Sequence, residues 1–228
     1  MTPREALKRY FGYDSFRPGQ EEIVSALLAG RDALAIMPTG AGKSLCYQVP
    51  ALLLPGLTLV ISPLISLMKD QVEALRQVGI PAAYINSSIS QEEFYHSMQM
   101  LQQGQCRILY VAPERLMTES LLRLAQRVQI SMIAVDEAHC VSQWGQDFRQ
   151  SYLDIPVFME QLPVRPVCTA FTATATKQVE ADIARILKLR DPETIHTGFD
   201  RKNLFFGVRR YVDRKSTRLN SSHRTISY

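Results

Sequence analysis

The pattern that most constrains this chain is an alternation. From residue 32 to about residue 171, short β-rich apolar runs take turns with longer helical patterns, each separated from the next by a Gly, Pro or polar break. The runs at 33–37, 58–61, 82–84, 107–111, 132–135 and 167–171 predict strands, and the stretches at about 43–53, 64–77, 91–102, 118–127, 151–161 and 176–187 predict helices. A strand that enters a helix before reaching the next strand makes a crossover, and crossovers produce parallel neighbours with helices on both faces. The expectation is one α/β domain: three layers, doubly wound, around a mostly parallel sheet. Residues 1–30 predict two further helices, split at Gly12-Tyr13 and at Arg17-Pro18-Gly19, which form an N-terminal collar before the first strand.

Composition supports a buried core and narrows the classes. At 46% hydrophobic and 21% charged residues, the chain is neither fibrous nor disordered. No run approaches the ~18–20 unbroken apolar residues of a membrane span, which excludes that reading. The first residues carry no apolar segment behind their charges, so the expected compartment is the cytoplasm. Cys46, Cys106, Cys140 and Cys168 are far apart, with neither zinc spacing nor a disulfide framework.

The net charge of +4 is misleading as to partners, because residues 209–228 alone carry +5 and residues 1–208 sum to −1. Any nucleic-acid reading must therefore rest on local motifs. Residues 213–228 hold six Ser/Thr among sixteen and show no period, so they predict disorder. Their wording, Arg214-Lys215-Ser216-Thr217-Arg218-Leu219-Asn220-Ser221-Ser222-His223, looks like translated adapter or vector sequence; a native flexible linker is the other reading. The organisation expected is thus a folded unit over 1–208 and a non-native or disordered tail over 209–228.

Chemistry concentrates at two strand ends. The first strand runs into Pro38-Thr39-Gly40-Ala41-Gly42-Lys43-Ser44 and then a helix. Glycines let successive backbone N–H groups turn inward around phosphate, the helix start adds its positive dipole end, and Lys43 reaches the β/γ oxygens. Ser44 would ligate Mg²⁺. The strict phosphate-loop pattern is missed by one residue, since Met37 stands where its first Gly belongs. At the fifth predicted strand, Asp136 and Glu137 follow Ile133-Ala134-Val135, on the edge where ligands bind in open α/β sheets. Asp136 suits Mg²⁺ coordination, and Glu137 suits a general base for water attacking a γ-phosphate.

These segments together form a familiar set. Phe16-Arg17-Pro18-Gly19-Gln20, the run from Met37 to Gln48, Ser62-Pro63-Leu64-Ile65-Ser66, Ala112-Pro113-Glu114-Arg115-Leu116, Asp136-Glu137-Ala138-His139 with Cys140-Val141-Ser142-Gln143-Trp144-Gly145, and Thr172-Ala173-Thr174-Ala175 occur in this order. Over roughly residues 5–205 the chain resembles the first, RecA-like motor lobe of the RecQ-type superfamily 2 DNA helicases, whose phosphate loop also lacks the first Gly. The resemblance implies a P-loop NTPase fold, ATP and Mg²⁺ as nucleotide and metal, and single-stranded and forked duplex DNA as partners.

It also implies residue roles. Tyr13 would stack on adenine while Arg17 and Gln20 bond its edge, with Thr39, Gly40, Gly42, Lys43 and Ser44 on the phosphates. Ser62 and Arg115 correspond to DNA-backbone contacts. Gln143, Trp144, Phe148 and Arg149 belong to an aromatic-rich loop that couples DNA binding to hydrolysis, and exposed aromatics beside Arg suit stacking on single-stranded bases. Thr172 and Thr174 would relay the nucleotide state to DNA. Gln146 stands where many relatives have His and Gln150 where they often have Pro, which bears on coupling more than on DNA binding.

The resemblance further implies an ATP-dependent 3′-to-5′ DNA helicase acting in repair and recombination near the nucleoid. Such motors hydrolyse ATP between two lobes, the second supplying arginine fingers. Phe199-Asp200-Arg201-Lys202-Asn203-Leu204 resembles the exit from the first lobe, so these 228 residues are expected to bind nucleotide without working as a motor. An ATP-switched DNA-binding module that never hydrolyses is the alternative.

Overall fold

The first helix is delimited by its own sequence. Thr2 caps α1 (Pro3–Phe11) by accepting from the Glu5 N–H while Glu5 reaches back to the Thr2 N–H; Pro3 sits in the first turn, and Gly12 ends the helix in the left-handed region. This computed structural model describes residues 1–198; the expectations placed on the 199–204 exit and on the 209–228 tail lie outside them. After α1 come α2 (Gln20–Leu28), β1 (Ala33–Ile36), α3 (Lys43–Leu53), β2 (Leu57–Ile61), α4 (Ile65–Gln77), β3 (Ala82–Ile85) and α5 (Gln91–Gln102). The chain continues through β4 (Ile108–Val111), α6 (Glu119–Ala125), β5 (Ile130–Val135), α7 (Asp154–Glu160), β6 (Val167–Thr172), α8 (Lys177–Ile186) and β7 (Glu193–His196).

Among the described residues seven strands pair in parallel, in the order β3-β4-β2-β5-β6-β1-β7. β1, β2 and β4 are buried along their whole length, as a parallel sheet covered on both faces requires. Alternate residues divide between two cores: Leu34, Ile36, Leu59, Ile61, Ile133 and Val135 face one side, while Ala33, Ala35, Met37, Val60, Met132 and Ala134 face the other. The collar packs separately, with Ala6 and Leu7 of α1 against Val24 of α2 and Val49 of α3. A three-layer, doubly wound parallel fold is what the alternation predicts.

Three details differ from that expectation. The predicted 151–161 helix is a 3-10 turn (Gln150–Leu153) followed by α7, with Pro156 in the first turn of α7, where its missing N–H leaves no helical bond unmade. β7 was not expected: it is an edge strand with only alternate residues partly buried, paired to β1. Asp32, read only as a strand boundary, is 2% exposed and accepts from Arg165 through both oxygens and from the N–H groups of Cys168 and Arg190. It clamps the amino ends of β1 and β6 and the segment leaving α8, satisfying its buried charge with four donors.

Candidate nucleotide site and its neighbours

Because every strand runs the same way, the connections that follow β1, β2, β4, β5 and β6 all emerge at one sheet edge. There a cleft of about 660 Å³ is lined by Tyr13, Arg17, Gln20, Thr39, Gly40, Gly42, Lys43, Ser44, Ser62, Asp136 and Glu137. Residues over a hundred positions apart in sequence thus face one space. Met37 N–H donates to the Thr172 carbonyl (2.9 Å) and Asp136 N–H to the Ile61 carbonyl (2.8 Å), extending the ladders past the strand ends and fixing the positions of both loops.

The loop between β1 and α3 turns through Gly40 (φ 84°) and Gly42 (φ 81°). Gly42 caps α3 without a side-chain partner for the helix start, and Lys43 and Ser44 form its first turn. Free N–H groups, dipole end and ammonium therefore converge as a phosphate site requires. Gly42 has a second reason to lack a side chain, since a Cβ there would lie 2.5 Å from the Gln20 amide nitrogen.

That contact is part of a set that ties the collar to the phosphate loop. Gln20 is 1% exposed; its amide donates to the carbonyls of Ala41 (3.0 Å) and Gly42 (3.1 Å) and accepts from the Arg17 N–H (2.9 Å). Arg17 in turn donates to the Gly40 carbonyl (2.8 Å). Both side chains expected to read an adenine edge are here bonded to the phosphate loop, because carbonyls left inward by its glycines need donors. Tyr13 stands half-exposed at the rim of the cleft.

Ser62, expected as a DNA-backbone contact, is 4% exposed; its N–H donates to the Val111 carbonyl and its hydroxyl faces Asp136 at 3.5 Å, so its side chain lines the nucleotide cleft. Burial, followed by the charge of Glu137, pushes the Asp136 carboxyl above the ordinary carboxylate range, with Lys43 and Ser62 opposing. A buried carboxylate pushed toward its neutral form, facing a lysine and two serine hydroxyls, fits a hard cation held by oxygen donors. Among the described residues no group of three or more His, Cys, Asp or Glu side chains is gathered. Ser44 and Asp136 would accordingly share Mg²⁺ with phosphate and water, the usual manner of that ion.

Glu137 adopts left-handed backbone (φ 47°, ψ 46°), uncommon for a residue with a side chain and held by its N–H donating to Asp136 Oδ1 at 3.0 Å. Its Oε2 lies 3.3 Å from His139 Nδ1, which is itself 3.1 Å from Thr172 Oγ1. The Thr172 hydroxyl proton goes to the Thr174 carbonyl (3.0 Å), so in this arrangement His139 Nδ1 is the donor toward Thr172. His139 thus bridges the carboxylate at the end of β5 to the Thr172 segment at the end of β6. Its place in the Asp136-Glu137-Ala138-His139 motif carries no sign of this link in the sequence. Below the carboxylates, the buried Tyr152 hydroxyl donates to the Asp136 carbonyl at 2.9 Å.

The remaining expected residues lie at the same sheet edge but do not line the cleft. Trp144 is 76% exposed and Phe148 38%, which rules out a core role for the tryptophan. Gln143 is exposed beside them, and Arg149 pairs with Asp147 (2.8 Å). Arg115 is half-buried in the turn Pro113–Arg115 after β4, and Thr174 is exposed beyond the fully buried Thr172.

Comparison with known proteins places this geometry. The chain is 50% identical over 203 residues to the ATP-dependent DNA helicase RecQ of Bacillus subtilis, covering 89% of this chain and 34% of that protein. It is 49% identical over 204 residues to the corresponding protein of Pasteurella multocida, covering 90% and 32%. The chain spans about a third of the length of these curated relatives. In fold it resembles the DUF1998 helicase MrfA bound to DNA and AMPPNP, with a TM-score of 0.69 at 16% identity over 86% of this chain and 29% of the other. It likewise resembles the Pyrococcus furiosus Hef helicase domain, with a TM-score of 0.61 at 20% identity over 78% and 37%. No described helix is long and apolar enough to cross a membrane. Residues 17–182, which include the phosphate loop, Asp136, Glu137 and the Thr172 segment, match the DEAD/DEAH box helicase family, and the chain belongs to it.

Proposed function

We propose that this chain is the first, nucleotide-binding motor lobe of a RecQ-type, ATP-dependent 3′-to-5′ DNA helicase, acting on single-stranded and forked duplex DNA in repair and recombination, in the cytoplasm and at the nucleoid. The observation that carries the reading is the meeting of the phosphate loop with Asp136 and Glu137 in one cleft, joined through His139 to Thr172.

Each residue has a role that its position supports. Lys43 and the α3 N–H groups bind the β/γ-phosphates, and Tyr13 at the rim stacks on the base. Ser44 and Asp136 would hold Mg²⁺ beside the phosphates, and the ion would supply charge neutralisation at the transferred phosphoryl group. Glu137 Oε2 takes the proton of the attacking water, with His139 Nδ1 3.3 Å from it. A shift of Glu137 during turnover moves His139 and hence Thr172, on the strand whose continuation leads to Thr174. Trp144 and Phe148 offer stacking faces and Arg149 and Arg115 offer cations to a single strand at this edge.

Lys43→Ala tests the nucleotide reading. Titration calorimetry should show Mg-ATP affinity lost by about 10–100-fold or more, as for one charge-assisted phosphate contact at ~1.5–3 kcal/mol, with the fold intact. Wild-type affinity in the folded variant overturns the assignment.

A further inference from the structure

The loop that carries Trp144 is closed upon the turn Ala138–Val141. Ser142 N–H donates to the His139 carbonyl (3.2 Å), Gly145 N–H to the Ser142 carbonyl (2.9 Å), and Arg149 N–H returns to the Cys140 carbonyl (2.9 Å). Gly145 is seated so tightly that a Cβ would lie 2.2 Å from the His139 carbonyl oxygen. Besides the His139 contact with Thr172, a side-chain tie joins this circuit to α8. The Ser142 side chain, fully buried, donates to Asp182 Oδ2 on α8 at 2.7 Å and accepts the Trp144 N–H at 3.2 Å.

Asp182 is 7% exposed, an unusual place for a carboxylate on a surface helix. Its other oxygen accepts from Arg185, 2.8 Å away and itself largely exposed. The Ser142 bond has the length of a charge-assisted one, so the buried charge is directed at the loop. α8 begins directly after the Thr172–Thr174 segment, capped by Thr176. A single rigid helix therefore connects the segment touched by His139 to the root of the Trp144 loop.

We propose that Asp182 is a positioning residue: through Ser142 it fixes the base of the Trp144 loop to α8, holding the exposed indole in one attitude and making it move with the Thr172 segment. The anchor is present in the ligand-free chain. Its consequence for single-stranded DNA rests on the function proposed above.

The chain contains one tryptophan, so its emission reports this loop alone. Time-resolved anisotropy of the 228-residue chain should show a slow decay in the wild type. Ser142→Ala and Asp182→Ala should each add a nanosecond segmental component. Asp182→Asn, which keeps an acceptor for Ser142, should restore the wild-type decay. Affinity for a single-stranded oligonucleotide should fall about tenfold in the two alanine variants, the scale of one charge-assisted hydrogen bond, while Mg-ATP affinity stays within about twofold. An unchanged decay in folded Ser142→Ala overturns the proposal, and so does an Asp182→Asn decay as fast as that of Asp182→Ala. Should Asp182→Ala fail to fold, Ser142→Ala makes the same cut while leaving Asp182 its arginine. A wild-type chain that does not bind the oligonucleotide refutes the DNA reading alone, and the anisotropy still decides the anchor.

Discussion

Replacing Gln20 separates two roles that one side chain could have. If the amide exists to brace the phosphate loop, Gln20→Ala removes three hydrogen bonds from a 1% exposed site: those to Ala41 and Gly42 carbonyls and that from Arg17 N–H. At ~1 kcal/mol net each, the loss is about 3 kcal/mol. For a chain of this size that lowers Tm by about 6–12 °C. Gln20→Glu should be worse, although it is nearly the same shape. One oxygen can still accept from Arg17, but the other would sit about where the nitrogen now lies, 3.0 and 3.1 Å from two carbonyl oxygens, with no proton to share. The order of stability is therefore wild type, then Ala, then Glu. A loosened loop binds any polyphosphate less well, in proportion to the fraction of molecules that retain the competent loop. The assay is thermal melting without nucleotide, followed by calorimetric titration with Mg-ATP and with inorganic tripolyphosphate, which has no base. Bracing predicts parallel losses of about tenfold or more for both ligands. If tripolyphosphate affinity and Tm are unchanged while ATP affinity falls, Gln20 is a reader of adenine and the argument from its loop bonds is refuted.

Three other outcomes follow from the site. Asp136→Asn should stabilise the ligand-free chain at neutral pH while abolishing Mg²⁺-dependent nucleotide binding. The raised Asp136 pKa means that the folded state holds its proton more tightly than the unfolded chain, so the wild type loses stability as pH rises through the folded value. The advantage of Asn should accordingly vanish in melts at acid pH, and an advantage that persists there contradicts this origin. In a protein that also contains a second motor lobe, Glu137→Gln should remove DNA-stimulated phosphate release while sparing ATP affinity, since only the proton acceptor changes; loss of affinity would reassign Glu137 to binding. Trp144→Ala should weaken single-stranded DNA binding by ~1–3 kcal/mol in an oligonucleotide titration and leave Tm within about 1 °C, because a 76% exposed ring contributes little to the core; a large drop in Tm would show that the ring packs.

What the sequence made legible, and what it did not, follows from the same parallel order. Buried strands such as Ala33–Ile36 announce themselves by unbroken apolar runs, whereas Glu193–His196, half-exposed at the edge beside β1, has only Ile195 to betray it. The residues just past each strand end could be named in advance as the chemical ones: Lys43 after β1, Ser62 after β2, Asp136 after β5 and Thr172 at the end of β6. Their partners could not, because pairing depends on which strands are neighbours, and local periodicity does not carry that information. With β5 set between β2 and β6, Asp136 faces Ser62 across one interval and His139 faces Thr172 across the other. Ser62 is thereby drawn inward to the carboxylate. The Gln20 amide shows the same limit at shorter range. Its residue type suits a purine edge and a backbone carbonyl equally, and only the inward turn at Gly40 and Gly42, which leaves carbonyls aimed at the collar, shows which partner it has in the ligand-free fold.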